Sequence, residues 1–508
     1  MDNLLHKETV NISRWGLNAC EECTISGDHT LPDYCPDIAA VLKCQVTPRI
    51  QNRQWSGERL LLDGVAAVRV LYLDEDRCCL RVAEFTLPYS CTMRATEPID
   101  AIPVQIDLSV KYVNCRAVTP RRLEVRGVVE VEARTEIVSA CELITHSEDP
   151  KLYTHYETVE YDYPIGSGEK LLSVSESFDF PDTLPPAEML LGGTCQAMVT
   201  ECKVLDRKVI VKGQVTYHQL YTADLTSGKT YCLDVAVPFS QIMDVEEAGE
   251  GQPYTARVLL LSDTERCSVG PDGENSVLEV TAKLLVQFYA YHRERVSLML
   301  DAYHGQYPTT PESREIALSA HKECRWEHTY LPMLMELPTQ SLQELVDVWI
   351  QMQGTDTECN KGVTTVSGRL LVCMLVRDTD GQISYYERPE EYRLEFPCEG
   401  NECRATVTPM EWTYRVVGNE LEIKLALCVE LQGYQHMVRQ VIDRMRVHTD
   451  TPYETGSATL LLYYAEAGET VWDIGRKCHT SPQSICCENE LLDGCVKQPT
   501  VLLVPLVT

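Results

Sequence analysis

One recurring pattern dominates the sequence, and its clearest copy reads Val209-Ile210-Val211-Lys212-Gly213-Gln214-Val215-Thr216-Tyr217-His218-Gln219-Leu220-Tyr221. Apolar and polar residues alternate along this run, and β-branched and aromatic residues are frequent, which is typical of a strand with one buried face. A glycine inside such a run marks a bulge or a bend. The run therefore predicts a bent β-strand with Gly213 at the bend.

The same pattern occurs at residues 60–72, around Gly64, and at residues 364–376, around Gly368. Seven residues after each glycine comes a leucine, and then an acidic turn and another alternating run. Each second run carries an aromatic residue beside a proline: Pro88-Tyr89, Pro238-Phe239 and Phe396-Pro397. Short turns between alternating runs favour antiparallel hairpins. The chain therefore predicts three copies of one β unit.

A second shared block follows in each copy and opens a long alternating strand, at residues 122–137, 277–291 and 420–434. We therefore predict a mainly β fold with three tandem, antiparallel, sandwich-like domains at residues 1–147, 171–305 and 314–447. The stretches at 147–170, 306–313 and 448–457 are polar and carry proline or glycine, which favours linkers.

Each β-domain is also expected to begin with a short amphipathic helix lying across its sheet. In the first copy Asp37 follows Pro36 and precedes apolar residues at 38, 41 and 42, which is a helical spacing. Residues 184–191 are a weaker counterpart in the second copy. In the third copy, residues 341–350 have apolar side chains at 342, 345, 346 and 349.

The C-terminal residues 458–508 predict a small strand–helix–helix–strand (βααβ) domain. Thr470 and Asp473 form a capping box for a first helix. Ser481 is a suitable N-cap, and Pro482 occupies the first helical position of a second helix. Residues 501–504 form the closing strand.

This C-terminal pattern resembles a LysM domain, a carbohydrate- or protein-binding module. Gly468-Glu469-Thr470-Val471-Trp472-Asp473-Ile474 is similar to the family's G-D-T-L-W-x-I signature, and Lys497-Gln498-Pro499 replaces its usual Gly-Gln. The resemblance implies core positions at Trp472, Ile474 and Pro505. It implies a ligand or partner groove formed by Gly468, Glu469, Thr470, Val471, Asn489, Glu490, Leu491, Leu492 and Asp493.

Composition narrows the class of partner. The chain has 508 residues and a formal net charge of -31. Nucleic-acid binding and docking on an anionic membrane both need clustered lysine and arginine, so a basic or neutral protein or a neutral glycan fits better. No export signal and no apolar stretch of the ~18–20 residues that span a bilayer is visible. We therefore expect a cytoplasmic chain whose 23 cysteines are reduced.

No catalytic motif is present: the sequence lacks H-E-x-x-H, G-x-S-x-G and G-x-x-x-x-G-K-[ST]. We expect neither enzymatic activity nor a cofactor. The weak metal candidate is zinc on Cys20, Cys23, Cys35 and Cys44, with His29 between them. Because the C-x-x-C pair does not recur nearby, two exposed thiols are the alternative interpretation.

Taken together, the P-D-I-x-x-V-L opening at residues 36–42, the three β-repeats and the LysM-like end resemble the spore-coat assembly family with SPOCS repeats, of the SipL type. The resemblance implies a mother-cell protein recruited to the forespore surface. There it would act as a non-enzymatic scaffold that binds the coat's morphogenetic ATPase. The alternative is a protein whose LysM unit binds peptidoglycan, the N-acetylglucosamine polymer of the cell wall or spore cortex.

Overall fold

The structure is a computed structural model that describes residues 5–75, 79–99, 103–271, 273–339, 341–454, 458–491 and 494–506. Its regular elements are antiparallel strands, joined near the C-terminus by two short helices. The predicted mainly β class is confirmed.

The first six strands form one unit, residues 5–147, which we call unit 1. They are β1 (Leu5–Thr30), β2 (Ile38–Ser56), β3 (Arg59–Asp74), β4 (Leu80–Arg94), β5 (Gln105–Thr119) and β6 (Arg122–Ser147). They pair as two three-stranded sheets, in the orders β1-β6-β5 and β2-β3-β4. The sheets enclose an apolar core that includes Ile25, Leu60, Val68 and Val125.

The next twelve strands repeat this topology twice. Unit 2, residues 152–304, contains β7 (Leu152–Asp179), β8 (Met189–Leu205), β9 (Lys208–Asp224), β10 (Lys229–Asp244), β11 (Tyr254–Ser268) and β12 (Val277–His304). Unit 3, residues 309–447, contains β13 (Thr309–Glu336), β14 (Leu342–Asn360), β15 (Val363–Asp378), β16 (Ile383–Pro397), β17 (Glu402–Val417) and β18 (Glu420–Val447). Their sheets have the orders β11-β12-β7 and β10-β9-β8, and β13-β18-β17 and β14-β15-β16. The prediction of repeated β units is confirmed.

The three repeat glycines occupy the same place on the central strands β3, β9 and β15. Each lies opposite an aromatic residue of the next strand, in the pairs Gly64↔Tyr89, Gly213↔Phe239 and Gly368↔Tyr392. Each also faces a bulge in the preceding strand. The counterpart of Tyr89 and Phe239 in the third copy is therefore Tyr392, and the predicted match to Phe396-Pro397 is wrong.

The predicted helices at the start of each β-domain are wrong. β2 and β14 occupy the first and third of those places, and in the second copy an irregular segment leads into β8 at Met189. β2 has register shifts between Ile38 and Ala40 and between Val41 and Lys43, and β14 has two near Leu342 and Leu345. Each bulge adds one residue to the strand, so a spacing of two becomes a spacing of three. The apolar residues of these bulged strands therefore have the spacing that is typical of an amphipathic helix.

Most of the stretch predicted as a linker at 147–170 lies instead in β7. β7 is an edge strand of its sheet, and its register shift falls between the partners of Gly166 and Pro164. Proline within sheets is confined largely to edges and bulges, so the residues that suggested a linker mark a bulge. The division of the chain into separate domains stays a prediction.

The long first and last strands of each unit extend beyond its sandwich, and the three extensions share one apolar cluster. Unit 1 contributes Val10 and Leu143, and unit 2 contributes Tyr161, buried with no exposed surface. Further members come from equivalent strand positions: Val159, Leu298, Ile316 and Val441. A second shared cluster joins β3, β9 and β15 through Leu71, Leu220 and Leu375. The repeats therefore pack against one another through common cores.

Candidate partner-binding module

The C-terminal residues form a βααβ unit, which we call the C-terminal module. It consists of β19 (Leu460–Ala465), α1 (Val471–Cys478), α2 (Pro482–Glu488) and β20 (Thr500–Pro505). The predicted caps are confirmed: the Thr470 side chain accepts a hydrogen bond from the Asp473 amide, and Ser481 accepts one from the Ser484 amide, with Pro482 in the first helical turn. β19 and β20 pair antiparallel along their full length.

The core of the module is apolar and small. Its buried members are Ala465, Val471, Ile474, Ile485, Val496, Leu502 and Val504. Ile474, one of the predicted core positions, is fully buried here. Pro505 is half-buried at the end of β20, where its carbonyl accepts a hydrogen bond from the Thr480 hydroxyl.

Trp472 lies outside this core and docks the module against unit 2. Its indole Nε1 donates to Asp301 Oδ2 at 2.8 Å, and its ring lies 4.9 Å from the ring of Tyr303. Arg476 also reaches Asp301, at 2.9 Å. Val471 and Ile474 face the core from one side of α1, so the intervening Trp472 faces the neighbouring unit. The sequence carries no signal for that neighbour.

The first predicted groove loop, at 468–471, is joined by backbone hydrogen bonds to residues that follow the second predicted groove segment. The Gly468 amide donates to the Val496 carbonyl at 2.7 Å, and the Val471 amide donates to the Gly494 carbonyl at 2.8 Å. Gly468 has a φ of +91°, which favours glycine at this turn. These bonds hold the 468–471 loop against residues 494–496.

Two polar residues of the predicted groove, Glu469 and Asn489, are engaged within the module. Glu469 accepts hydrogen bonds from Lys477 and from the Tyr463 hydroxyl, both at 2.6 Å, and these hold the pKa of its carboxyl below the usual range. The Asn489 amide donates to the carbonyls of Ile485 and Leu503, and its oxygen accepts from the Leu503 amide.

The other predicted groove residues differ in their surroundings. Thr470 caps α1, Glu490 is exposed with a φ of +50°, and Leu491 packs partly on the core. Leu492 and Asp493 lie outside the described residues.

The outer face of the β19·β20 sheet, which we call the outer-face patch, is apolar and faces away from the helices. Tyr464 is 77% exposed and Leu462 is 60% exposed. Strand alternation and pairing place six side chains on this face: Leu460, Leu462, Tyr464, Val501, Leu503 and Pro505. The sequence signal for it is the unbroken apolar run at 460–465, because a strand with one buried face alternates.

The weak zinc candidates of the N-terminal region do not come together. Cys20 is exposed beside Glu130 and Glu132, whereas Cys23 is buried. The two cysteines are three residues apart on β1, so their side chains point to opposite faces of the strand. Cys44 instead lies beside Cys115.

Comparison with protein-family models matches residues 186–263 to the SipL, SPOCS domain. This segment contains β8, β9 and β10 of unit 2 and most of β11. The family is a structural module of the spore coat; no catalytic family is found and no LysM domain is identified. Searches of the curated proteins and of the solved structures gave no significant match.

No helix among the described residues is long and apolar enough to cross a membrane. The residues matched by the family model belong to the middle one of three units with the same strand topology. Residues 186–263 are therefore similar to a SPOCS domain of the SipL type, a family that is associated with the spore coat.

Proposed function

We propose that this chain is a non-enzymatic scaffold for spore coat assembly that acts in the mother cell, at the forespore surface. The observation that carries the proposal is the SPOCS match within one of three units of identical topology. Several binding surfaces in one chain raise the retention of the whole chain far above that of each contact. A repeated, non-catalytic fold suits such a role.

The C-terminal module is LysM-like in this proposal and binds a protein, namely the coat morphogenetic ATPase. The outer-face patch supports a protein partner, because contiguous exposed apolar surface is typical of protein interfaces. Tyr464 supports it further, since tyrosine is enriched in interfaces and loses little conformational entropy on binding. The partner surface would be apolar and neutral or basic, given the net charge of -31.

Binding of peptidoglycan through the groove is the second candidate, and two observations disfavour it. Sugar recognition uses polar groups that are free to orient the ligand, but Glu469 and Asn489 are already hydrogen-bonded within the module. The large aromatic side chain of α1, Trp472, contacts unit 2 rather than an open groove.

Equilibrium binding between the purified full chain and the purified coat ATPase tests the proposal. The variant Leu462→Asp/Tyr464→Asp should weaken binding, at a cost of about 2 kcal/mol or more if these residues are anchors of the interface. Gln483→Asp is the matched control, because Gln483 is exposed on α2, on the other side of the module. Circular dichroism should show that all three proteins are equally folded.

The same proteins should be sedimented with insoluble peptidoglycan. We expect negligible co-sedimentation for each of them. ATPase binding that is insensitive to the patch substitutions would overturn the role of the patch. Co-sedimentation that is abolished by Glu490→Lys, an exposed groove change, would instead support the glycan alternative.

A further inference from the structure

Three cysteines of unit 3 meet at one corner of its sandwich. Cys359 lies near the end of β14, Cys398 directly follows β16, and Cys403 lies at the start of β17. Their Sγ atoms all lie within 4.8 Å of one another, and those of Cys359 and Cys398 are 4.0 Å apart. These residues play no part in the module described above.

The corresponding corners of the sister units carry aliphatic and aromatic side chains. Strand register equates Cys398 with Ala95 of unit 1 and Val245 of unit 2, because each amide donates to the carbonyl of the matching turn residue. The same register gives the remaining equivalences, which are Cys359 with Trp55 and Val204, Thr364 with Leu60 and Val209, and Cys403 with Val104 and Tyr254. Unit 3 thus concentrates three thiols and the Thr364 hydroxyl where the other two units have aliphatic and aromatic side chains.

The thiol corner is enclosed and its loop is held in place. Cys398 is 7% exposed and Cys403 is 4% exposed, and the Thr364 hydroxyl lies 3.0 Å from Cys359 Sγ. In the connecting loop, the Asn401 side chain both donates to the His436 carbonyl and accepts from the His436 amide at 2.7 Å. The thiol positions are therefore set before any ligand arrives.

Thiolate is the form of cysteine that binds metal ions, and a bound cation would stabilise this form at the buried Cys398 and Cys403. Binding of the cation would then release protons from the thiols to the solvent.

We propose that Cys359, Cys398 and Cys403 together bind a thiophilic divalent cation, represented by Zn²⁺. Zinc–sulfur bonds of about 2.3 Å in a tetrahedral site place sulfur atoms about 3.8 Å apart, so the thiols need only a small contraction. Cys398 and Cys403 form a C-x₄-C pair, which is within the ligand spacing of structural zinc sites. The fourth position is open to water or to the Thr364 hydroxyl.

This site goes beyond the proposed scaffold function and differs from the expectation of no metal. It would fasten the end of β14 to the loop between β16 and β17. Cys359 and Cys398 lie at the ends of β14 and β16 in one sheet of unit 3, and Cys403 lies on β17 in the other sheet, so the ion would act as a clip between the sheets.

The test uses the full chain, purified under reducing conditions and stripped with a chelator. Co²⁺ serves as the spectroscopic probe of thiolate coordination, followed by displacement with Zn²⁺. The variant Cys359→Val/Cys398→Val installs the residues of unit 2 at the corner. The matched control is Cys44→Val/Cys115→Val, which removes another neighbouring thiol pair, in unit 1.

We expect the parent and the control to bind one Co²⁺ per chain with sulfur-to-metal charge-transfer absorption, and the corner variant to show none. Zn²⁺ should raise the melting temperature of the first two proteins only. Cys403→Ser keeps a polar group at the corner, so it should stay folded while its Zn²⁺ affinity falls at least tenfold.

Absence of thiolate absorption in the parent, or equal absorption in the corner variant, would overturn the proposal. So would recovery of Cys359 and Cys398 as a disulfide after anaerobic purification, because the corner would then be a redox pair. If the corner variant does not fold, the Cys403→Ser variant provides the test: an unchanged Zn²⁺ affinity of this variant would by itself overturn the proposal.

Discussion

At the scale of single residues, each repeat has a glycine at a position where the neighbouring atoms leave no room for a side chain. A Cβ added at Gly213 would overlap the Met198 carbonyl oxygen and the Phe239 ring, and Gly64 and Gly368 are closed off by the same kinds of neighbour. The aromatic ring covers the glycine on the pleated surface, so the two residues form one packing unit. The position of the glycine in the alternating run was enough to predict its role from the sequence. The aromatic ring that covers it in the third copy, Tyr392, was not predicted.

Gly213→Ala should therefore destabilise the chain by about 1–3 kcal/mol, as is typical of overpacking in a filled core. Urea unfolding monitored by circular dichroism would measure this change. Gly494→Ala is the control, because no atom lies within 4 Å of its added Cβ, and it should leave stability unchanged. Equal stability of both variants would show that the close approach has no energetic consequence.

A second residue-scale feature joins units 2 and 3. His218 Nδ1 forms a hydrogen bond with Asp234 Oδ1 at 2.6 Å, and its Nε2 forms one with Oδ1 of the buried Asp347 at 2.9 Å. Burial alone would lower the pKa of His218, but the two carboxylates outweigh burial and hold it well above its ordinary value. Cys232, Cys373 and Tyr414 are further titratable groups near this contact. The imidazolium is therefore the form that links the units.

Asp347→Asn should remove one charge partner and destabilise the chain by about 3–5 kcal/mol near neutral pH. Because the folded-state pKa of His218 is raised, its contribution is fully present below about pH 6.5 and is lost as pH rises through the folded value. Urea unfolding at a series of pH values checks this trend against the exposed control Asp380→Asn. A difference between parent and variant that does not change with pH would contradict it.

At the scale of elements, strands were predictable and their irregularities were not. The alternating runs around Gly64, Gly213 and Gly368 identified the central strands, and Thr470 and Ser481 identified the starts of both helices. The predicted helices at the start of the first and third β-domains were wrong because of bulges, since one extra residue turns the spacing of apolar residues in a strand into the spacing of a helix. The partner of Trp472 lies in another unit, and local sequence contains no information about such a contact.

Trp472→Ala should release the C-terminal module from unit 2 without unfolding it. The substitution removes the hydrogen bond to Asp301 and the contact with Tyr303, and it leaves the core around Ile474 intact. Hydrogen exchange should show faster exchange at 449–454, where Tyr453 stacks on His479, with protection of α1 retained.

Ile474→Ala is the comparison, because its cavity should cost about 2–5 kcal/mol and should expose the amides of α1 throughout. Loss of α1 protection in Trp472→Ala would show that the indole stabilises the module itself.

At the scale of the whole molecule, three units of one topology share apolar clusters, and the C-terminal module is docked on the second unit. Such an arrangement holds the outer-face patch at a fixed place relative to the three units. The repeat and the terminal module were readable from the sequence. The shared clusters were not, because Val10, Tyr161 and Ile316 are far apart in the chain.

The most direct measurement is the localisation of the fluorescently tagged full chain in sporulating cells. The parent chain and Gln483→Asp should surround the forespore. Leu462→Asp/Tyr464→Asp, at equal abundance, should spread through the mother cell because it has lost its anchor. Normal localisation of the patch variant, or a parent chain that never reaches the forespore, would contradict the account of a scaffold held there by its C-terminal module.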